Sequence, residues 1–194
     1  MSGSELSVRY PALFAKIFWE WGPISAQFRA SSHPPPLTQL AKVRLVPFIG
    51  DDVVIIRMTD GNWDHPGGTM EPGESHEAAL AREAMEEAGA LVSNFNIFGV
   101  FDCISHNPEP YRSHYPHPEF SQIIGIGDVE LVTSPNTVKS DELEAVTSVE
   151  VVTVNEAVRR LSMRTDGSWQ ADMHQGAADI RSGEITAKVL DTMG

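Results

Sequence analysis

The alternation of apolar and polar positions changes character twice within the first fifty residues. Between residues 10 and 30, Leu13, Ile17, Phe18 and Trp21 recur at helical spacing, which predicts a helix, with Pro23 breaking it near Trp21. Ser31-Ser32-His33-Pro34-Pro35-Pro36 then reads as a linker. From Leu40 the pattern turns strand-like. Val43, Leu45, Val46 and Phe48 precede Gly50-Asp51-Asp52, and Val53-Val54-Ile55-Ile56 follows, predicting two strands joined by a tight turn. Pro47 has no N–H for a ladder, so the first of these strands is expected at a sheet edge, or irregular there.

Residues 75–88 predict a helix that ends at Gly89, where a left-handed cap is favoured. Further strands are expected over 95–104, 122–129 and 149–154. A loop rich in Pro, His and Tyr, residues 106–118, separates the first two. Thr153 and Glu156 have capping-box spacing and open a helix to about Met163. A small-residue tail after Gly167 suggests two short helices split at Ser182-Gly183. Strands interleaved with helices predict an α/β domain with a mixed sheet over residues 38–165. Residues 1–37 then form a helical extension with a Pro-rich linker, and 166–194 a helical tail. No internal repeat and no heptad array is present.

Composition narrows the function classes. The 194 residues are 41% hydrophobic, enough for a core, and carry a formal net charge of −13. A non-specific nucleic-acid binder needs a basic surface, so that class is set aside. An acidic protein acting on an anionic substrate needs cations to bridge the charges. Acidity is concentrated after residue 50, where 9 basic residues face 25 acidic ones. The lone Cys103 excludes an intrachain disulfide and a cysteine-rich zinc site. No run of 18 apolar residues and no basic leader is found, so a soluble cytoplasmic protein without membrane contact is expected.

Candidate chemistry lies on the helix predicted over 75–88. At about 100° per residue, Glu87 falls about 40° to one side of Glu83 and Glu86 about 60° to the other, so three carboxylates share a face. Ala78, Ala81, Ala84, Met85 and Ala88 are expected to face the core, with Leu80 at the margin and Ala79 leaving room among the glutamates. Two such charges about 6 Å apart repel by roughly 3 kcal/mol at an effective dielectric near 20. Arg82, four residues before Glu86, relieves part of this, and a hard divalent cation would relieve more. A solvated glutamate-rich helix is the plain alternative.

The flanking residues decide between them. Gly68, Glu74, Arg82, Glu83, Glu86, Glu87 and Gly89 stand at the seven fixed positions of the Nudix box, with Ala84 and Ala90 at its two aliphatic positions. Chance placement at this spacing is below about one in a million with ordinary residue frequencies. The chain therefore resembles the Nudix hydrolases over 38–165, and the preceding Trp63-Asp64-His65-Pro66-Gly67 is similar to that family's lead-in.

The resemblance implies an α/β/α sandwich and hydrolysis of a nucleoside diphosphate linked to another moiety. It implies Mg²⁺, with Mn²⁺ a possible substitute, held by Glu83, Glu86, Glu87 and the Gly68 carbonyl. Glu74 is expected to pair with Arg82 and orient that face. Glu83, Glu142 and Glu144 are the candidates for the general base. Substrate contacts are expected from Trp63, His65, Tyr111, Arg112 and Tyr115. The reading leans to ADP-ribose-like nucleotide sugars. Nucleoside triphosphates are the alternative, and a non-catalytic nucleotide-sensing module is a third reading. A homodimer is expected.

Overall fold

The computed structural model describes residues 3–20, 22–110, 112–134 and 145–185. Its centre is one sheet containing β3 (Leu40–Ile49), β4 (Asp52–Met58), β5 (Trp63–Asp64), β6 (Gly67–Thr69), β7 (Ala90–Ser105), β8 (Glu119–Leu131) and β9 (Val146–Thr153). Ahead of these come α1 (Gly3–Arg9), α2 (Pro11–Phe14), β1 (Lys16–Trp19) and β2 (Ile24–Ala30). The strand order is β1-β2-β7-β8-β3-β4-β5, with β6 paired to β3 and β9 to β4. The β3–β8 pair is parallel and the other pairs are antiparallel, so the sheet is mixed.

Helices cover both faces. On one side α3 (His76–Ala88) packs Leu80, Ala84 and Ala88 onto Val43, Leu45, Val54, Val100 and Ile123. On the other, α4 (Val154–Leu161) and α5 (Ser168–Arg181) bring Leu161, Trp169 and Met173 against Phe28, Phe48, Phe101 and Ile124. The result is the expected α/β/α sandwich. Among the described residues no helix is long and apolar enough to cross a membrane.

Two expectations are corrected. Lys16–Trp19 and Ile24–Ala30 pair as a hairpin, not a helix, with Trp21 outside the described residues: Ile24, Ala26, Phe28 and Ala30 are buried while Ser25, Gln27 and Arg29 between them are half-buried. This period of two suits a strand, and β2 gains a full ladder on β7, from Ile24 opposite Ser105 to Ala30 opposite Gly99. A non-local partner thereby overrides the local helical spacing. The opening segment also shares a core with the tail, since Leu6, Tyr10 and Leu13 join Trp169, Met173 and Ala177.

The second correction is that β3 is central despite Pro47. One edge of β3 runs along β8, with Pro47 opposite Gly127. The other edge is shared, by β6 at residues 42–44 and by β4 at 48–49. Leu45 N–H donates across that edge to the Pro66 carbonyl, so by alternation Pro47 presents its missing donor there, in the gap between β6 and β4. In the tail, α5 runs up to Arg181 and Gly183 follows at φ 80°, at the expected break. Residues 186–194, where a second helix was expected, lie outside the described residues.

Candidate active site

Helix α3 is bounded as its ends require. Ser75 Oγ accepts the N–H of Ala78 at 3.2 Å, and Gly89 sits at φ 64° with its N–H turned back to the carbonyls of Ala84 and Met85. The helix is rotated relative to the expected wheel. Ala79 and Leu80 are buried, whereas Ala78 and Ala81 are exposed. The reason is β6, which packs against the glutamate side and turns it inward. Glu83 and Glu87 are therefore only 4% and 6% exposed, while Glu86 keeps contact with solvent.

Gly68 makes this arrangement possible. A Cβ at that position would overlap the Glu83 carboxylate, so the missing side chain is the space that Glu83 occupies. Glu87 Oε2 accepts the N–H of neighbouring Gly67 at 2.9 Å. Two buried carboxylates thus lie against one short stretch of backbone.

Arg82 ties the loop before the helix to that face. Its Nε and Nη2 donate to Glu74 Oε1 and Oε2, each at 3.0 Å, in a bidentate pair. Nη1 donates to Glu83 Oε1 at 2.8 Å and lies 3.6 Å from Glu86, and Nη2 also reaches the Thr69 carbonyl at 2.9 Å. The hydrogen bonds from Arg82 hold the Glu74 carboxyl below its usual range, and in return Glu74 raises the Arg82 guanidinium. Both remain charged at any physiological pH. Glu74 Oε2 also accepts the Glu71 N–H, which closes the loop.

Three carboxylates and a glycine carbonyl are hard oxygen donors, the set that suits a small divalent cation. Among the described residues, however, no three acidic, His or Cys side chains converge closely enough to hold a metal as they stand. Glu83 is turned to Arg82 and Glu87 to the Gly67 N–H, so an ion must compete with those donors.

The other candidate residues are distributed differently. Tyr115 donates its hydroxyl to Thr69 Oγ1, and the His114 Nε2–H donates to the Met70 carbonyl at 3.2 Å, so the loop over 112–118 sits on the strand that enters the box. Arg112 is on the exposed side of that loop. Trp63 has the guanidinium groups of Arg160 and Arg57 over its ring at 4.6 and 5.7 Å. His65 is corrected too: its side chain is fully buried, out of reach of a substrate in this arrangement. Glu142, Glu144 and Tyr111 lie outside the described residues.

Sequence reading missed a polar cluster behind the box. Arg44 Nε donates to Gln122 Oε1 at 2.9 Å and its Nη1 to His65 Nε2 at 3.2 Å, while its guanidinium lies over the rings of Trp19 and Trp169. Because arginine only donates, His65 carries its proton on Nδ1. Burial, reinforced by Arg44, pushes the His65 pKa well below 6.5, so the ring stays neutral. Its neighbour His174 donates Nδ1–H to the Gln170 carbonyl at 2.9 Å, and burial lowers its pKa to about 4. The buried side-chain polar atoms without a partner among the described residues belong to His65, Gln122, Trp169, Gln170 and His174, all in this neighbourhood. The only advance signal was Arg44 itself, a charge at an inward position of an apolar strand.

Residues 39–173, well over half of the chain, match the NUDIX domain family model. The chain belongs to the Nudix family. A MutT-like protein of Streptomyces ambofaciens is 35% identical over 68 residues, covering 34% of this chain and 44% of that relative, so the matched part spans less than half of its length. Among solved structures, the fold is similar to a point mutant of the Bacillus subtilis pyrophosphohydrolase BsRppH. That pair has a TM-score of 0.59 and 18% identity, over 89% of this chain and 99% of that one. A NUDIX hydrolase from Nitrosomonas europaea aligns with a TM-score of 0.50 and 22% identity, over 70% and 88% of the two chains. At such identities the structural likeness speaks for the Nudix fold alone.

Proposed function

We propose that this Nudix chain hydrolyses the pyrophosphate bond of a nucleoside diphosphate linked to another moiety, with ADP-ribose-like nucleotide sugars the first class to test. The observation that carries it is the Glu83 carboxylate occupying the space left by Gly68, on the same helix as buried Glu87 and sharing Arg82 with Glu86. Glu83, Glu86, Glu87 and the Gly68 carbonyl would hold Mg²⁺, or Mn²⁺ in its place. When bound, the ion supplies Lewis acidity toward the phosphoryl oxygens and a more acidic water.

The chain's own residues do the positioning. Glu74 and Arg82 keep the glutamate face at a set angle to β6, and Arg82 spreads positive charge over Glu83 and Glu86. Tyr115 and His114 brace the loop that borders the same strand. Deprotonation of the attacking water is assigned to Glu83, Glu142 or Glu144. The proposal extends to a cytoplasmic homodimer, for which β1, the terminal strand of the sheet with Phe18 exposed, offers a strand edge.

The experiment is a panel of nucleoside diphosphate derivatives and nucleoside triphosphates with Mg²⁺, products separated by ion-exchange chromatography. Activity is expected to vanish with EDTA and return with Mg²⁺ or Mn²⁺. Turnover that persists in a thoroughly chelated sample refutes the metal-dependent hydrolase reading. Glu86→Gln and Glu87→Gln are each expected to lower kcat by orders of magnitude with the fold retained.

A further inference from the structure

The short strand that carries Gly67 and Gly68 is held from two sides. In front, the Glu83 carboxylate fills the space at Gly68, Glu87 Oε2 accepts the Gly67 N–H, and Arg82 Nη2 donates to the Thr69 carbonyl. Behind, the chain entering β6 is fastened through the side chain of Asp64. Its Oδ2 accepts from Arg164 Nη1 at 2.9 Å. Its Oδ1 accepts from Gln170 Nε2 at 2.8 Å and from the His65 N–H at 2.9 Å. Arg164 lies between α4 and α5, and Gln170 in the first turn of α5.

Gln170 shows how firmly this contact is specified. It is 2% exposed, and its Oε1 has no hydrogen-bond partner among the described residues. Turning the amide over would set that oxygen against the Asp64 carboxylate, so the orientation follows Asp64 and leaves a buried acceptor unpaired. Helix α5 is itself braced from the start of the chain. Asp172 Oδ2 accepts the N–H groups of Ala12 and Leu13, and Asp179 Oδ2 accepts the Tyr10 hydroxyl.

A shift of β6 would reach the glutamates directly. Glu83 rests against the bare backbone of Gly68, and Glu87 is bonded to the preceding residue, so a displaced strand takes both carboxylates with it. Asp64 stands three and four positions before those glycines, and its partners belong to the helical layer on the opposite face of the sheet from α3. The geometry of the box therefore depends on a helix that the box sequence does not contain.

We propose that Asp64 is a positioning residue for the glutamate face, tying it to α5, a helix that runs past the end of the family match at residue 173. The proposal rests on the metal-dependent reading of the box, but its test does not require turnover. Mn²⁺ titration followed by electron paramagnetic resonance, at a temperature where melts show each variant folded, reads the glutamate face itself. Asp64→Leu is expected to weaken Mn²⁺ binding about tenfold or more, and Asp64→Asn, which keeps an acceptor, should recover most of the loss. Arg164→Met should weaken binding about threefold or more alone, yet add less than about twofold in the Asp64→Leu background, because both act through one contact. A residue serving stability alone would lower the melting temperature and leave Mn²⁺ affinity unchanged. Folded Asp64→Leu with wild-type affinity overturns the proposal. Where Asp64→Leu does not fold, wild-type affinity in both Arg164→Met and Gln170→Leu overturns it. Wild-type protein that binds no Mn²⁺ removes the metal-dependent reading and the proposal together. Mn²⁺ binding that responds to the variants in a protein that cleaves no diphosphate supports the proposal and refutes the hydrolase reading, so the two failures are distinguishable.

Discussion

The carboxylate of Glu83 lies where a side chain on Gly68 would have to be, although the two residues belong to different elements fifteen positions apart. Strand and helix meet so closely that only a glycine admits the charged group. Both partners stand at fixed positions of the box, and this contact gives their spacing a physical reason.

Gly68→Ala is therefore expected to displace the far end of a flexible side chain, not backbone. The fold should survive, with a melting temperature within a few degrees of wild type, while kcat falls by about 10²-fold or more as Glu83 leaves its place. Steady-state kinetics with a thermal melt on the same sample checks this. A folded variant with wild-type kcat would remove Glu83 from the site.

Arg82→Lys keeps the charge but cannot reproduce the bidentate contact to Glu74 or the reach to Thr69 and Glu83. Activity should fall about 10- to 100-fold and Mn²⁺ affinity weaken, because the glutamate face loses its support. Glu74→Gln retains one acceptor and should be milder. Mn²⁺ titration followed by electron paramagnetic resonance, alongside kinetics, separates lost metal affinity from lost turnover.

His174 makes stability depend on pH. Its folded pKa is about 4 against 6.5 for an ordinary imidazole, so between those values the unfolded chain holds a proton that the folded chain excludes. Stability then falls as pH drops from about 6.5 to about 4, by about 3 kcal/mol for this group, and is flat with respect to it below that window. Buried His65 acts in the same direction. Urea unfolding at pH 7.5 and 4.5 should show the loss, and His174→Gln should flatten the dependence.

For the general base, either Glu142→Gln or Glu144→Gln is expected to lower kcat substantially with little change in KM, the pattern of a contact made in the transition state. The affected variant should also lose the acidic limb of its pH–rate profile. Rates within about twofold of wild type for both return the role to Glu83.

Legibility in the sequence followed the range of the interactions. Helix α3 was readable because Ser75, the 3.6-residue period and Gly89 act within one element. The Glu74–Arg82 pair is separated by only eight residues, so one turn and two helical turns bring it together. The orientation of the helix was not readable. Ala79 entered the core and the glutamates turned inward because β6 packs on them, and nothing within the helix specifies that neighbour.

The box spacing, the acidic helix face and the mixed α/β pattern come from the sequence by itself, since each depends on local period, caps and residue chemistry. Tertiary structure alone decided that Lys16–Trp19 and Ile24–Ala30 become a hairpin, because the partner of β2 is β7, 69 to 81 residues away. It also decided that Pro47 stays in a central strand, where a gap between β4 and β6 receives its missing donor. The polar neighbourhood of Arg44 is of the same kind. Residues 19, 44, 65, 122, 169 and 174 come from β1, β3, the β5–β6 connection, β8 and α5, and only the closing of the sandwich puts a half-buried arginine, two tryptophans and two neutral histidines behind the glutamate face. Charges and rings so far apart in the chain carry no mutual signal until burial removes the water between them.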